Sequence, residues 1–114
     1  MPLGEQVNNL ERRADYLANF AEVNYGRGDT QSAVEQLTTA AQLADQTGAR
    51  YASARYHLRL AAMLLEQGKP ADAQTYWRRG KQIAAEGKYR ALLESAERWD
   101  EKLAAGRSRA PSSE

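Results

Sequence analysis

The chain has no cysteine and a single histidine, His57, in 114 residues. Without cysteine neither a disulfide framework nor a thiolate metal site is available, and one histidine alone cannot supply the ligand cluster that a metal site needs. Long apolar runs are missing too. No stretch approaches the roughly 20 apolar residues of a membrane-spanning helix, and Met1-Pro2-Leu3-Gly4-Glu5-Gln6 has neither the basic start nor the apolar run of a signal peptide. Nowhere do four or more β-branched or aromatic residues alternate with polar ones, so strand signals are absent. Gly26-Arg27-Gly28 lacks the spacing and the following Lys-Ser/Thr of a phosphate loop. The serines fall on helix surfaces, a hairpin turn and the tail, with no base beside them for nucleophilic catalysis. These absences predict an all-α, soluble, cytoplasmic protein with no catalytic residues, no metal and no other cofactor.

What is present is helical periodicity. Val7, Leu10, Ala14, Leu17, Ala21 and Asn24 recur at spacings of three and four and predict an amphipathic helix from about Glu5 to Tyr25. Gly26 and Gly28 stop it, and Asp29 is a good N-cap for a second helix near Thr30 to Gln46, followed by Gly48. A third helix, about Arg50 to Gln67, carries Ala54, His57, Leu60, Ala61 and Leu64 on one stripe. His57 on that stripe is expected to be a packed, hydrogen-bonded core imidazole. Pro70 suits the first position of a fourth helix running to about Glu86, with Gly87 as its stop. A fifth, about Lys88 to Ala105, places Leu92, Leu93, Ala96, Trp99 and Leu103 at the same spacing, before Gly106. One domain over residues 1–106 follows, with residues 107–114 as a tail that has nothing to bury and is expected to be disordered.

Two look-alike turns organise this series. Gly28-Asp29-Thr30-Gln31-Ser32-Ala33 and Gly68-Lys69-Pro70-Ala71-Asp72-Ala73 stand 40 residues apart, and the register continues as Ala33/Ala73, Leu37/Trp77, Ala40/Gly80 and Leu43/Ile83. A match at one fixed offset is the signature of repeat architecture. Leu17, Phe20, Ala21, Ala33, Leu37 and Ala40 in the first unit, and His57, Leu60, Ala61, Ala73, Trp77 and Gly80 in the second, resemble the tetratricopeptide repeat. Small residues stand where two backbones must approach. The period exceeds the family's usual length of about 34 residues, which indicates a variant with longer helices. The resemblance implies two antiparallel helical hairpins and a C-terminal capping helix, stacked as an α-solenoid.

In such a stack the first helix of each hairpin lines a concave face. The resemblance therefore implies a non-catalytic protein-interaction module, with a peptide or helix of a partner protein held against Asn19, Glu22, Tyr25, Arg55, Leu58, Arg59, Ala62 and Arg98. Asp15, Ala18 and Leu65 would share that face. Arg55 and Arg59 would grip carboxylates, and Leu58 and Leu65 would take apolar side chains. Alternatively Asp15 and Glu22 pair with Arg55 and Arg59 across the two helices. The clamp by which some family members hold chaperone C-termini is not intact, because Ala18 and Glu22 occupy the places of its Lys and Asn. A small-ligand regulatory domain would need a deep apolar pocket that the sequence does not advertise.

Tyr16, Phe20 and Val23 form a second apolar stripe on the first helix, on the side where a preceding repeat would sit. They are the candidates for self-association as a homodimer. Charge suggests a rival assembly, since residues 1–48 carry 3 Lys/Arg against 7 Asp/Glu and residues 49–114 carry 13 against 8. Acidic start on basic end would stack head to tail. The basic cluster Arg78, Arg79, Lys81, Lys88 and Arg90 is read as a solvated face rather than a nucleic-acid footprint, given a pI near 8.0 and no recognition motif.

Overall fold

Two turn designs alternate along the chain and set the helix boundaries. In a computed structural model, residues 2–98, 100 and 101 are described, with side chains from residue 6 onward except residue 7. The helices are α1 (Pro2–Gly26), α2 (Thr30–Thr47), α3 (Arg50–Glu66) and α4 (Pro70–Gly87). A fifth, α5, begins at residue 90 and includes every described residue after it. No strand occurs among the described residues, and no helix among them is long and apolar enough to cross a membrane. The packing of Val7, Trp99 and Leu103, the stop at Gly106 and the 107–114 tail lie outside the described residues.

The first turn design closes α1 onto α2 and α3 onto α4. Arg27, Gly28 and Asp29 donate backbone N–H groups to the carbonyls of Val23, Tyr25 and Asn24, and 40 residues later Gln67, Gly68 and Lys69 donate to Met63, Leu65 and Leu64. Both central glycines are left-handed, with φ of 90° at Gly28 and 78° at Gly68, a region that L side chains avoid. Asp29 then caps α2 by accepting from the Ser32 N–H at 3.3 Å. Pro70 stands in the first turn of α4, where its missing N–H costs nothing.

The second design links α2 to α3 and α4 to α5. Ala49 N–H donates to Ala44 O at 3.0 Å and Tyr89 N–H to Ala84 O at 2.9 Å. The left-handed residue is Gly48 in the first case and Lys88, φ 57°, in the second. α4 ends at Gly87, close to where the sequence places its stop, but the left-handed residue is Lys88 and not the glycine. A side chain at 87 would meet the Tyr89 ring, 2.4 Å from an added Cβ, so glycine serves close approach and Lys88 takes the reversal.

Consecutive helices pack against one another, α1 on α2, α2 on α3 and α3 on α4. The core is built mainly from alanine. Ala33, Ala40, Ala41 and Ala44 flank Leu37 on α2, and they face Leu60, Met63 and Leu64 of α3 within one cluster that also takes in Ala14, Ala21, Ala73 and Trp77. Small side chains let helices approach closely, while each buried Leu supplies about 1.5–3 kcal/mol of apolar burial. Trp77 ties α5 to the rest by donating its indole N–H to Ala96 O at 3.1 Å. His57 is buried as expected. Its Nδ1 lies 2.8 Å from Ser53 O, and since a carbonyl only accepts, Nδ1 carries the proton and donates.

Candidate functional site

The third helix follows the first at the 40-residue period, and their side chains meet along a seam. Tyr56 Oη donates to Asp15 Oδ1 at 2.5 Å. One to two turns further, Arg59 reaches Glu22 through two parallel bonds of 2.6 and 2.8 Å, the bidentate geometry that a guanidinium offers a carboxylate. At the far end Tyr25 donates its hydroxyl to Glu66, and the Arg59 guanidinium lies 5.4 Å from the Tyr25 ring centroid. Burial, followed by the bond to Glu66, pushes the Tyr25 phenol up to about 12. Burial also raises Tyr56, helped by Asp15, and the hydrogen bond to Glu22 raises Arg59 above its ordinary value.

Between Asp15 and Glu22 the seam opens into a cavity of about 230 Å³, with Leu37 of α2 as its floor and Ala18, Asn19, Arg55, Tyr56 and Arg59 around it. Of the expected groove residues, Asn19, Glu22, Arg55 and Arg59 are thus brought together, and Tyr25 extends the line. Leu58 is not among them. It is buried against α4, because Gly80 leaves no side chain in its way: a Cβ at 80 would stand 2.7 Å from Leu58 Cγ. Ala62 is likewise buried, and Arg98 is exposed on α5, away from the cavity. Asp15 pairs with the Tyr56 hydroxyl and not with Arg55, whose guanidinium instead rests 5.3 Å from the Tyr56 ring centroid.

A second cavity, about 360 Å³, continues the seam toward the N-terminal ends of α1 and α3. It shares Tyr56 with the first and is otherwise walled by Glu11, Asp15, Thr47, Arg50, Tyr51 and the small residues Ala14, Ala44, Ala49 and Ala52. The sequence reading missed both this cavity and Tyr56. Carrying the 40-residue register past the turns would have found them, since it aligns Tyr56 with Tyr16 and Ala49 with Tyr89.

The second apolar stripe of α1 stays uncovered, with Tyr16, Phe20 and Val23 exposed by 65%, 51% and 52%; their counterparts 40 residues on, Tyr56, Leu60 and Met63, are exposed by 2%, 0% and 0%. The Tyr16 and Phe20 rings stack on each other at 6.2 Å. In the basic cluster, Lys81 bonds Asp100 at 3.2 Å and lies 4.7 Å from the Trp77 ring centroid, while Arg79 approaches Asp45 to 4.0 Å. Among the described residues no three His, Cys, Asp or Glu side chains gather as a metal site. No protein-family model, curated protein or solved structure matches this chain.

Proposed function

We propose that this chain is a non-catalytic protein-interaction module, a long-helix tetratricopeptide-like stack that holds a peptide segment of a partner protein along the α1–α3 seam. The observation that carries this reading is the seam itself. Two helices hold a preformed cleft whose walls bear carboxylates, guanidinium groups and tyrosine rings, above an apolar floor at Leu37. A cleft already held by Asp15–Tyr56 and Glu22–Arg59 leaves the ordering cost to the peptide alone. Charge-assisted contacts to Arg55, and to the Arg59 N–H groups that Glu22 does not take, would orient it. The repeated turn bonding and the small residues at the helix crossings support the tetratricopeptide-like stack. A cytoplasmic setting belongs to the proposal, since nothing in it needs an oxidising compartment or a membrane.

Selection from a random-peptide display library on the immobilised chain tests this reading. Selected peptides should lose roughly 10–100-fold in affinity on Arg55→Ala/Arg59→Ala, the loss of charge-assisted hydrogen bonds. They should also be excluded by Ala18→Trp, which fills the cleft. Peptides that bind all three proteins alike would sink the groove.

A second reading, self-assembly through α1, is favoured by the exposed Tyr16–Phe20–Val23 face. Its repeat counterparts are core residues, so the face has the chemistry of a helix contact and is left exposed. A second copy covering it would bury that surface as an isologous dimer.

A further inference from the structure

We infer that the cavity walled by Ala14, Ala44, Ala49 and Ala52 is a receptor site for an aromatic ring carried beside a positive charge. The molecule itself shows what such a cavity takes. One repeat later Tyr89 occupies the corresponding place: its ring stands edge-on to Tyr51 at 5.1 Å, lies over Gly87 and packs on the cluster of Ala54, Ile83 and Ala84. Moved back 40 residues, Tyr51, Ala54, Ala84 and Gly87 become Glu11, Ala14, Ala44 and Thr47, and all four line the open cavity. Of the three side chains that pack on that cluster, Tyr89, Leu92 and Leu93, the first two are alanine in the earlier interval, Ala49 and Ala52. The resulting space of about 360 Å³ is at the small end of ligand pockets, which run roughly 300–1,000 Å³.

Charge sets the rest of the ligand. Glu11 stands where the later interval has Tyr51, and Asp15 stands where it has Arg55, so the wall gains two carboxylates. Among the described residues neither has an ion-pair partner, and the guanidinium of Arg50, which also borders the cavity, is engaged by Glu86 of α4. A cationic group beside the ring meets complementary charge there, and an anionic one does not. Because this cavity adjoins the peptide cleft at Tyr56, which lines both, the natural carrier is a peptide with an aromatic residue next to Lys or Arg. That identification of the carrier rests on the groove reading; the site does not.

Three probes that share a 4-hydroxyphenyl ring test the site in the intact chain: tyramine, p-cresol and 4-hydroxyphenylacetate, which are cationic, neutral and anionic. Alanine-methyl NMR titration should give saturable shifts at Ala14, Ala44, Ala49 and Ala52. Tyramine should bind roughly two- to five-fold more tightly than p-cresol, the effect of one exposed ion pair, and the anion most weakly. Two variants fill the cavity from within. Ala52→Leu copies Leu92, and Thr47→Gly/Ala49→Tyr copies Gly87 and Tyr89; the glycine is needed because a ring tethered at position 49 would meet the Thr47 side chain. Either variant, checked for native methyl dispersion, should abolish the shifts, and one suffices if the other misfolds. The inference is overturned by no saturable shift up to about 10 mM tyramine, above the millimolar Kd expected of so small a ligand. It is overturned equally by shifts that survive in a folded filled variant, or by anion binding that matches tyramine. Failure here leaves the peptide-display result with Arg55→Ala/Arg59→Ala intact, and failure of that experiment leaves tyramine binding intact.

Discussion

Lys88 holds a conformation that suits glycine. It closes α4 at φ 57°, in the place that Gly48 takes with φ 73° at the end of α2. A left-handed L residue costs about 1–2 kcal/mol, whereas glycine costs up to about 1 kcal/mol through the freer unfolded chain. Lys88→Gly should therefore stabilise the domain by about 0.5 kcal/mol after a small loss of charge at the helix C-terminus, read as an increased urea midpoint with unchanged slope. An unchanged or lowered midpoint would mean that the Lys88 side chain contributes more than the backbone strain removes. The reason lysine rather than glycine stands at 88 is not visible in its contacts. That glycine stands at 87 is explained by the Tyr89 ring above it.

At the scale of elements, the two hairpins solve one crossing in two ways. In the first, Ala18 and Ala40 occupy the positions that Leu58 and Gly80 occupy in the second. A large residue on α3 is matched by the absence of a side chain on α4, with Leu58 Cγ 2.7 Å and Ala54 O 3.1 Å from where a Cβ at 80 would be. Gly80→Ala alone should destabilise by about 1 kcal/mol, as overpacking of about 1–3 kcal/mol exceeds the gain in helix propensity of up to about 1. Leu58→Ala alone should cost about 2–5 kcal/mol. In the Leu58→Ala background the sign should reverse. The clash with Leu58 is gone there, leaving only the close approach to Ala54 O at 3.1 Å, the pair matches Ala18/Ala40, and Gly80→Ala should stabilise by a few tenths of a kcal/mol, up to about 1. Equal effects of Gly80→Ala in both backgrounds, measured by denaturant unfolding of the four-protein cycle, would disprove the compensation.

At the scale of the whole molecule, the exposed outer face of α1 separates two modes of assembly. Tyr16, Phe20 and Val23 form a patch equivalent to core one repeat later. Light scattering at low and high salt separates the assemblies. A dimer through this patch should persist in salt, because burial of apolar surface is not screened, and Tyr16→Glu/Val23→Glu should break it to a monomer. Head-to-tail stacking of the acidic first half on the basic second should instead give larger species that dissolve as salt rises. A monomer throughout would exclude both and leave the α1–α3 seam as the interaction surface.

Helix number, the four turns and the helical faces were legible in the chain itself, because they depend on neighbours three or four residues away. Apolar spacing, an Asp29 cap, a Pro70 start and glycines at 28, 48 and 68 act locally, and a 40-residue register repeats them. The same register contained more than the turns, namely Lys88 in place of Gly48 and Ala49 in place of Tyr89. What needed the tertiary structure is everything set by a residue far along the chain. Leu58 left the groove because residue 80 has no side chain, Asp15 chose the Tyr56 hydroxyl over Arg55, and a cavity opened where two alanines face two others across three helices. Periodicity places a side chain on a face of its own helix. Which space that face meets depends on the volume and hydrogen-bonding groups of side chains that only folding brings alongside it.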